Sequence, residues 1–425
     1  MALLAAILVI GYLVPAALTA ANVRHLRTAA AGPLPPALAG RLDPGQLRRT
    51  VEYTASHARL GYWGRLAGTV AAGAVLFSGL LPWLTARASV LPLPGPLQGL
   101  AVLYLPLLLL AVAGLPASLA EDFGIERRYG FSTITARTWA LDQAKGLLIG
   151  AVLLGLLFCG FSLFVSWFGP RWWLPAWGLV TAVSLLLTFV APVWLAPLFN
   201  KFVPLKDEAL RDRILALAKQ ADFPLAGVFQ MDASRRSTHD NAYFTGLGRT
   251  RRIVFYDTMV ASYTHDEILA VMGHEIGHWK LRHVAVSLAL STAVSGAGLW
   301  LASQVINGEW VYATLGLLDQ FRRSGLQGPL LGAALFAASV LFAPAGLLLS
   351  PLTMWLSRRH EYQADAFSLR LLPDRAALRG ALLKLGAKNL ANPFPHPLYV
   401  AFHYSHPPLL ERLAAIDTLK TQTEP

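Results

Sequence analysis

The sequence predicts an all-α polytopic membrane protein of seven transmembrane helices, with a cytosolic cap that contains a small β-sheet. Three observations carry this. Of 425 residues, 55% are hydrophobic and only 14% charged, far from the balance of a domain that faces water on every side. Seven apolar stretches are each long enough to cross about 30 Å of hydrocarbon as a helix of ~20 residues. After the fifth and again after the seventh, the chain turns polar and carries histidines and carboxylates at helical spacing.

The spans are expected at 2–21, 66–86, 97–120, 146–168, 172–198, 284–304 and 329–356. The first lacks a basic leader and its apolar run begins at Ala2, so it reads as a retained span rather than a cleaved signal peptide. The loop that follows it carries Arg24, Arg27, Arg41, Arg48, Arg49, Arg59 and Arg65, whereas the loop after the second span has only Arg87. Arg127, Arg128, Arg137 and Lys145 follow the third span, and Arg171 sits in the short hairpin after the fourth. This alternation puts the N-terminus outside and both 199–283 and the C-terminal tail in the cytoplasm. The chain then divides into five N-terminal spans (1–198), a cytosolic catalytic segment (199–283), spans six and seven (284–356) and a cytosolic C-terminal segment (357–425).

The net charge of +12 is scattered between apolar blocks, with no basic stripe interleaved with aromatics, so it speaks for membrane topology and against nucleic acid. The single cysteine, Cys159, excludes an intramolecular disulfide and a cysteine-ligated zinc cluster.

Residues 265–281, HDEILAVMGHEIGHWKL, read as a helix with acids in its first turn and Lys280 near its end. His274 and His278 are four apart and so share one face. Two imidazoles there can bind zinc, with Glu275 between them as general base toward a water polarised by the metal. A catalytic zinc needs a third ligand, and SRRHEYQADAFSLRL at 357–371 offers Glu361 and Asp365, again four apart. Glu361 is expected on the metal, with Asp365 fixing the tautomer of a ligand histidine. His360 is a rival ligand, but it points about 100° from Glu361 on a helix. Two half-sites divided by two membrane crossings must emerge on the same face, and the charge count puts both in the cytoplasm.

In order, FGIERRYGFSTIT (123–135), STHDNAYFTGLG (237–248), HEIGH (274–278), EYQAD (361–365) and HPPLLER (406–412) resemble the CAAX prenyl protease 1 family, the type I CAAX endopeptidases. That resemblance implies seven helices enclosing a chamber, capped by a gluzincin-like zinc-metalloprotease unit, with peptide cleaved inside. It maps one Zn²⁺ per chain onto His274, His278 and Glu361, the base onto Glu275, and a pair that approaches the scissile carbonyl and substrate onto His406 and Arg412. It also places Asn241 at the head of the substrate-binding strand. From the residues themselves, AGVFQMD, NAYFTGL and RRIVFYD read as three short β-segments, with GLGRT as a glycine turn between the last two. Ala242, Tyr243 and Phe244 are candidates for an edge to which extended peptide adds. His406 precedes two prolines in extended chain, where it can neutralise a developing oxyanion.

The expected activity is therefore a membrane-embedded zinc endopeptidase acting on polypeptide, with a prenylated C-terminal CAAX peptide as the substrate the family implies. The rivals are an HtpX-like quality-control protease and a non-catalytic membrane chaperone or translocon-clearing factor. Arginine outnumbers lysine and Ala, Leu and Gly dominate, which suits a GC-rich bacterial genome; the expected location is a bacterial inner membrane, or the endoplasmic reticulum if the source is eukaryotic. Glu126 and Asp142 are expected to pair with Arg127, Arg128 or Arg137. The remaining histidines, His57, His239 and His283 among them, read as loop or helix-end residues.

Overall fold

A computed structural model of the chain describes residues 1–40, 43–246 and 251–419. The glycine turn expected at GLGRT lies largely outside the described residues. Five helical segments are long and apolar enough to span a membrane, and two bent pairs bring the total to seven. In none of the five is more than 17% of the most apolar window buried inside the protein. Side chains such as Leu148, Leu156 and Trp194 are instead 66–74% exposed, a surface that only hydrocarbon covers favourably.

Helix α1 runs Ala2–Ala30, α2 Pro44–Phe77, α3 Leu80–Ser89, α4 Gly95–Leu119, α5 Ala136–Phe168 and α6 Trp173–Val190. The second expected span is not one rod. It begins far earlier, at Pro44, and bends by 58° between α2 and α3, where Gly79 takes φ +78°, a conformation costly for a residue with a Cβ. Arg59 and Arg65, expected in a loop, therefore lie on a helix. Asp43 caps α2 through its side chain on the Gln46 N–H, with Pro44 at the first position, where a missing N–H costs nothing.

The cap begins with strand β1, Phe202–Pro204, which the sequence reading missed, and α7, Glu208–Gln220. Strands β2 (Gly227–Met231), β3 (Ala242–Thr245) and β4 (Arg252–Tyr256) follow, in the spatial order β1-β2-β4-β3. β4 runs parallel to β2 and antiparallel to β3, leaving β3 at the sheet edge. Helix α8, His265–Lys280, starts in a capping box, Thr264 and Glu267 each bonding the other's backbone N–H. Its Ile268, Met272 and Ile276 are fully buried with Leu210 and Ile214 of α7 and Ile253 and Phe255 of β4. Each such side chain contributes about 1.5–3 kcal/mol. His274 and His278 stand two residues off that stripe, about 200° round the helix, and so face away from the sheet.

Helix α9 spans His283–Asn307. The seventh span is α10, Pro329–Phe342, bent by 52° to α11, Ala345–Leu371, at the Ala343–Pro344 junction. It does not end near residue 356: α11 continues through EYQAD, so one rod carries Glu361 from the membrane into the cap. Helices α12 (Arg375–Lys388), α13 (Pro397–His403) and α14 (Leu409–Thr418) complete the cap.

Candidate active site

Helices α8 and α11 pack face to face because α8 presents glycine there. A Cβ on Gly277 would lie 3.0 Å from Ala364 Cα and 3.1 Å from Phe367 Cβ, and one on Gly273 would lie 2.8 Å from Ser368 Oγ. The approach brings His274 and His278 of one helix against Glu361 and Asp365 of the other. Gly277→Ala is therefore expected to push the helices apart at a cost of about 1–3 kcal/mol. Since the strain falls between metal-binding donors, it should lower metal retention about tenfold in dialysis against a chelator, and wild-type retention would show that the contact is slack.

The donor atoms converge. His274 Nε2 and His278 Nε2 are 3.1 Å apart, Glu361 Oε1 lies 3.2 Å from the latter and Glu361 Oε2 3.4 Å from the former. The tautomers follow from the outer partners. His274 Nδ1 is 2.8 Å from Asp365 Oδ1, which accepts its proton, so the neutral ring offers Nε2 as a lone pair. His278 Nδ1 is 3.0 Å from His283 Nδ1, and His283 Nε2 is 3.0 Å from Gln363 Oε1. With the Gln363 amide oxygen accepting from His283 Nε2, a neutral His283 accepts at Nδ1 from His278 Nδ1, and a neutral His278 offers Nε2 as a lone pair. Two imidazole nitrogens and a carboxylate thus aim at one point, a donor set that suits a divalent cation. Glu361 is 4% exposed, and its Oε2 has no hydrogen-bond donor in proper geometry although His406 Nδ1 lies 2.7 Å away. The three residues form the group with metal-ligand geometry among the described residues, and they fit zinc in type and number.

Arg412 is buried, and its Nε and Nη2 each donate to Asp365 at 2.7 Å, with Nη1 3.6 Å from Glu361 Oε2. This bidentate pair lets a buried carboxylate stay ionised while it holds His274; removing one partner of such a pair typically costs about 3–5 kcal/mol. A cavity of about 510 Å³ opens beside the donors and is lined by His274, Glu275, Glu361, His406 and Arg412, together with Asn241 and Ala242 at the head of edge strand β3. Asn241 Oδ1 accepts from the Ala242 N–H, and its carbonyl accepts from Tyr256 N–H, fixing the strand's start. Tyr243 and Phe244 do not line the cavity: Tyr243 packs with Met231 and Val254, and Phe244 against Phe223. Burial raises the Glu275 carboxyl above its ordinary range, opposed by the neighbouring histidines. His360 is not among the converging donors; its ring stacks on His283 at 4.0 Å.

Sequence reasoning missed His283 and Gln363. Five residues past His278, His283 would point about 140° away on a continuous helix. Arg282, with φ +57°, ends that helix in the left-handed region and turns the His283 ring back. No periodicity signals this.

The expected pairings of Glu126 and Asp142 are corrected. Glu126 accepts from the Tyr53 hydroxyl at 2.6 Å and bonds His57 Nε2 at 2.9 Å and His239 Nε2 at 3.1 Å. Asp142 makes a bidentate pair with Arg236. Arg127 is drawn off by the Ile134 carbonyl and the Phe123 ring. His57 and His239 are thus half-buried partners that tie the membrane helices to the segment leading into β3. The Glu126 bond raises His239 above its ordinary range.

Residues 22–201 match the family model described as CAAX prenyl protease N-terminal, five membrane helices, and residues 204–420 match that of peptidase family M48. The Arabidopsis thaliana protein named CAAX prenyl protease 1 homolog is 34% identical over 413 residues, covering 95% of both chains. The Homo sapiens protein of the same name is 31% identical over 431 residues, covering 91% of this chain and 89% of that one. The crystal structure of S. mikatae Ste24p is 29% identical, covers 98% of each chain and superposes with a TM-score of 0.88. The likeness takes in spans and cap together.

Proposed function

This chain belongs to peptidase family M48 as a multi-pass membrane metalloendopeptidase of the Ste24p type, and on that premise we propose that it is zinc-dependent and removes the C-terminal tripeptide of prenylated CAAX polypeptides. The observation that carries the reading is the convergence of two imidazole nitrogens and a carboxylate beside a cavity that a further glutamate lines.

His274, His278 and Glu361 would hold the ion, and Asp365, steadied by Arg412, would orient His274. Bound there, zinc would supply a Lewis acid to polarise the peptide carbonyl and acidify the attacking water. Glu275 takes the proton from the attacking water and later delivers it to the leaving amine. His406 donates toward the oxyanion that develops on the carbonyl. Peptide backbone adds to the edge of β3 at Asn241 and Ala242, with Tyr243 and Phe244 holding that strand in register and Arg412 bordering the substrate cavity. The division at 1–198, 199–283, 284–356 and 357–425 belongs to this reading, as does the topology: N-terminus outside, site on the cytoplasmic side, in a bacterial inner membrane or the endoplasmic reticulum.

Comparing kcat/KM for a farnesylated CAAX peptide and its unprenylated form tests the substrate. Burying even two methylenes of the isoprenoid, at about 0.8 kcal/mol each, is worth about tenfold. A farnesylated preference of that size or more is expected. Equal rates would instead favour an HtpX-like quality-control role.

A further inference from the structure

Arg65 is a cation with no anion. It lies within a candidate membrane span, on α2 and about 12 Å further along the axis than His57. Its Nη2 reaches only the Thr19 hydroxyl of α1, at 3.4 Å, and its Nε is buried without a partner. Among the described residues no carboxylate pairs with it; the side chains that feel its charge are Tyr62, Tyr399 and His403. A charged group inside a span is costly unless it faces a cavity and finds a counter-ion. Arg65 does line a cavity, about 340 Å³ in volume, with room for an anion beside the guanidinium.

That cavity adjoins the catalytic one: Asn389, Ala391, Asn392 and Tyr404 line both. In the catalytic cavity, His403 Nδ1 is a second buried nitrogen without a hydrogen-bond partner. His403 is three residues before His406, so their Cα atoms are no more than about 10–11 Å apart. The segment between is pinned, because Arg358, three residues before Glu361 on α11, donates to the Val400 and Tyr404 carbonyls at 2.9 and 2.8 Å. Three residues of extended peptide span roughly 10–11 Å, enough to cover that separation. A chain cut at Glu275 and extending three residues further could reach from beside His406 to beside His403, in the cavity that adjoins the one Arg65 lines.

We propose that Arg65 binds the free α-carboxylate of the peptide substrate, measuring the distance from the chain end to the scissile bond. This rests on the reading that cleavage is C-terminal. An anionic lipid phosphate has the same chemistry as a guanidinium ligand and is the alternative source of the anion.

The test measures binding of full-length protein in nanodiscs, in a Glu275→Gln background that prevents turnover. Probes are a CAAX peptide as free acid and as C-terminal amide, each with and without farnesyl. The free acid should bind about tenfold or more tighter than the amide. Arg65→Gln should bring that ratio near one, and Arg65→Lys, which keeps the charge, should restore part of it, with zinc content equal to the parent confirming the fold. An unchanged acid-to-amide ratio in Arg65→Gln, or no ratio in the parent, overturns the proposal. So does a loss that is equal for acid and amide and appears only when phosphatidylglycerol is added to phosphatidylcholine discs, which would identify a lipid-phosphate site. If farnesyl makes no difference but the ratio still depends on Arg65, the prenyl reading falls and the carboxylate site stands.

Discussion

Glu275→Gln is expected to lower peptide cleavage by about 10²–10⁴-fold while leaving the metal bound. The amide keeps the shape of the side chain and its place in the cavity but cannot accept a proton, so the loss is that of general base catalysis. Metal should remain because Glu275 is not among the three residues whose ligand atoms converge. Burial already raises the Glu275 carboxyl, toward the range in which a base both takes a proton from water and gives it up to an amine. Peptide hydrolysis and zinc content measured on one preparation check the expectation. Undiminished hydrolysis would mean that another group moves the proton.

Glu361→Ala should release the metal. Two neutral imidazoles would remain with no compensating negative charge, since Asp365 is engaged by Arg412 and His274. Disturbing merely an outer partner of a ligand costs about 10–100-fold in metal affinity, and loss of a ligand should cost at least that. Arg412, with Nη1 beside the former carboxylate, still has Asp365 as its partner, so the cap should stay folded. Elemental analysis after dialysis reads the result.

Much of this architecture was legible because the bilayer permits few solutions. A segment crossing it must satisfy its own backbone hydrogen bonds and stay apolar over ~20 residues, and all seven expected stretches lie on such helices or bent pairs. The bends were not legible: Gly79 and Pro344 sit in apolar surroundings, and hydropathy is blind to a change of direction. The HEIGH helix showed itself through its i, i+4 histidines and its capping residues, both local signals. β1 escaped because a three-residue strand ending in proline has no alternation to detect. Side-chain partners were the hardest. Charge order suggested that Glu126 pairs with its neighbours Arg127 and Arg128, yet its partners are Tyr53, His57 and His239, which only tertiary packing brings together. His283 reaches His278 only through one left-handed residue.

The most direct test of the central claim, that His274, His278 and Glu361 hold a catalytic zinc served by Glu275, is zinc content and cleavage measured together on wild type, Glu275→Gln and Glu361→Ala. The account expects about one zinc per wild-type chain with cleavage, the same zinc without cleavage in Glu275→Gln, and neither in Glu361→Ala. Full zinc in Glu361→Ala, or cleavage by Glu275→Gln, would contradict it.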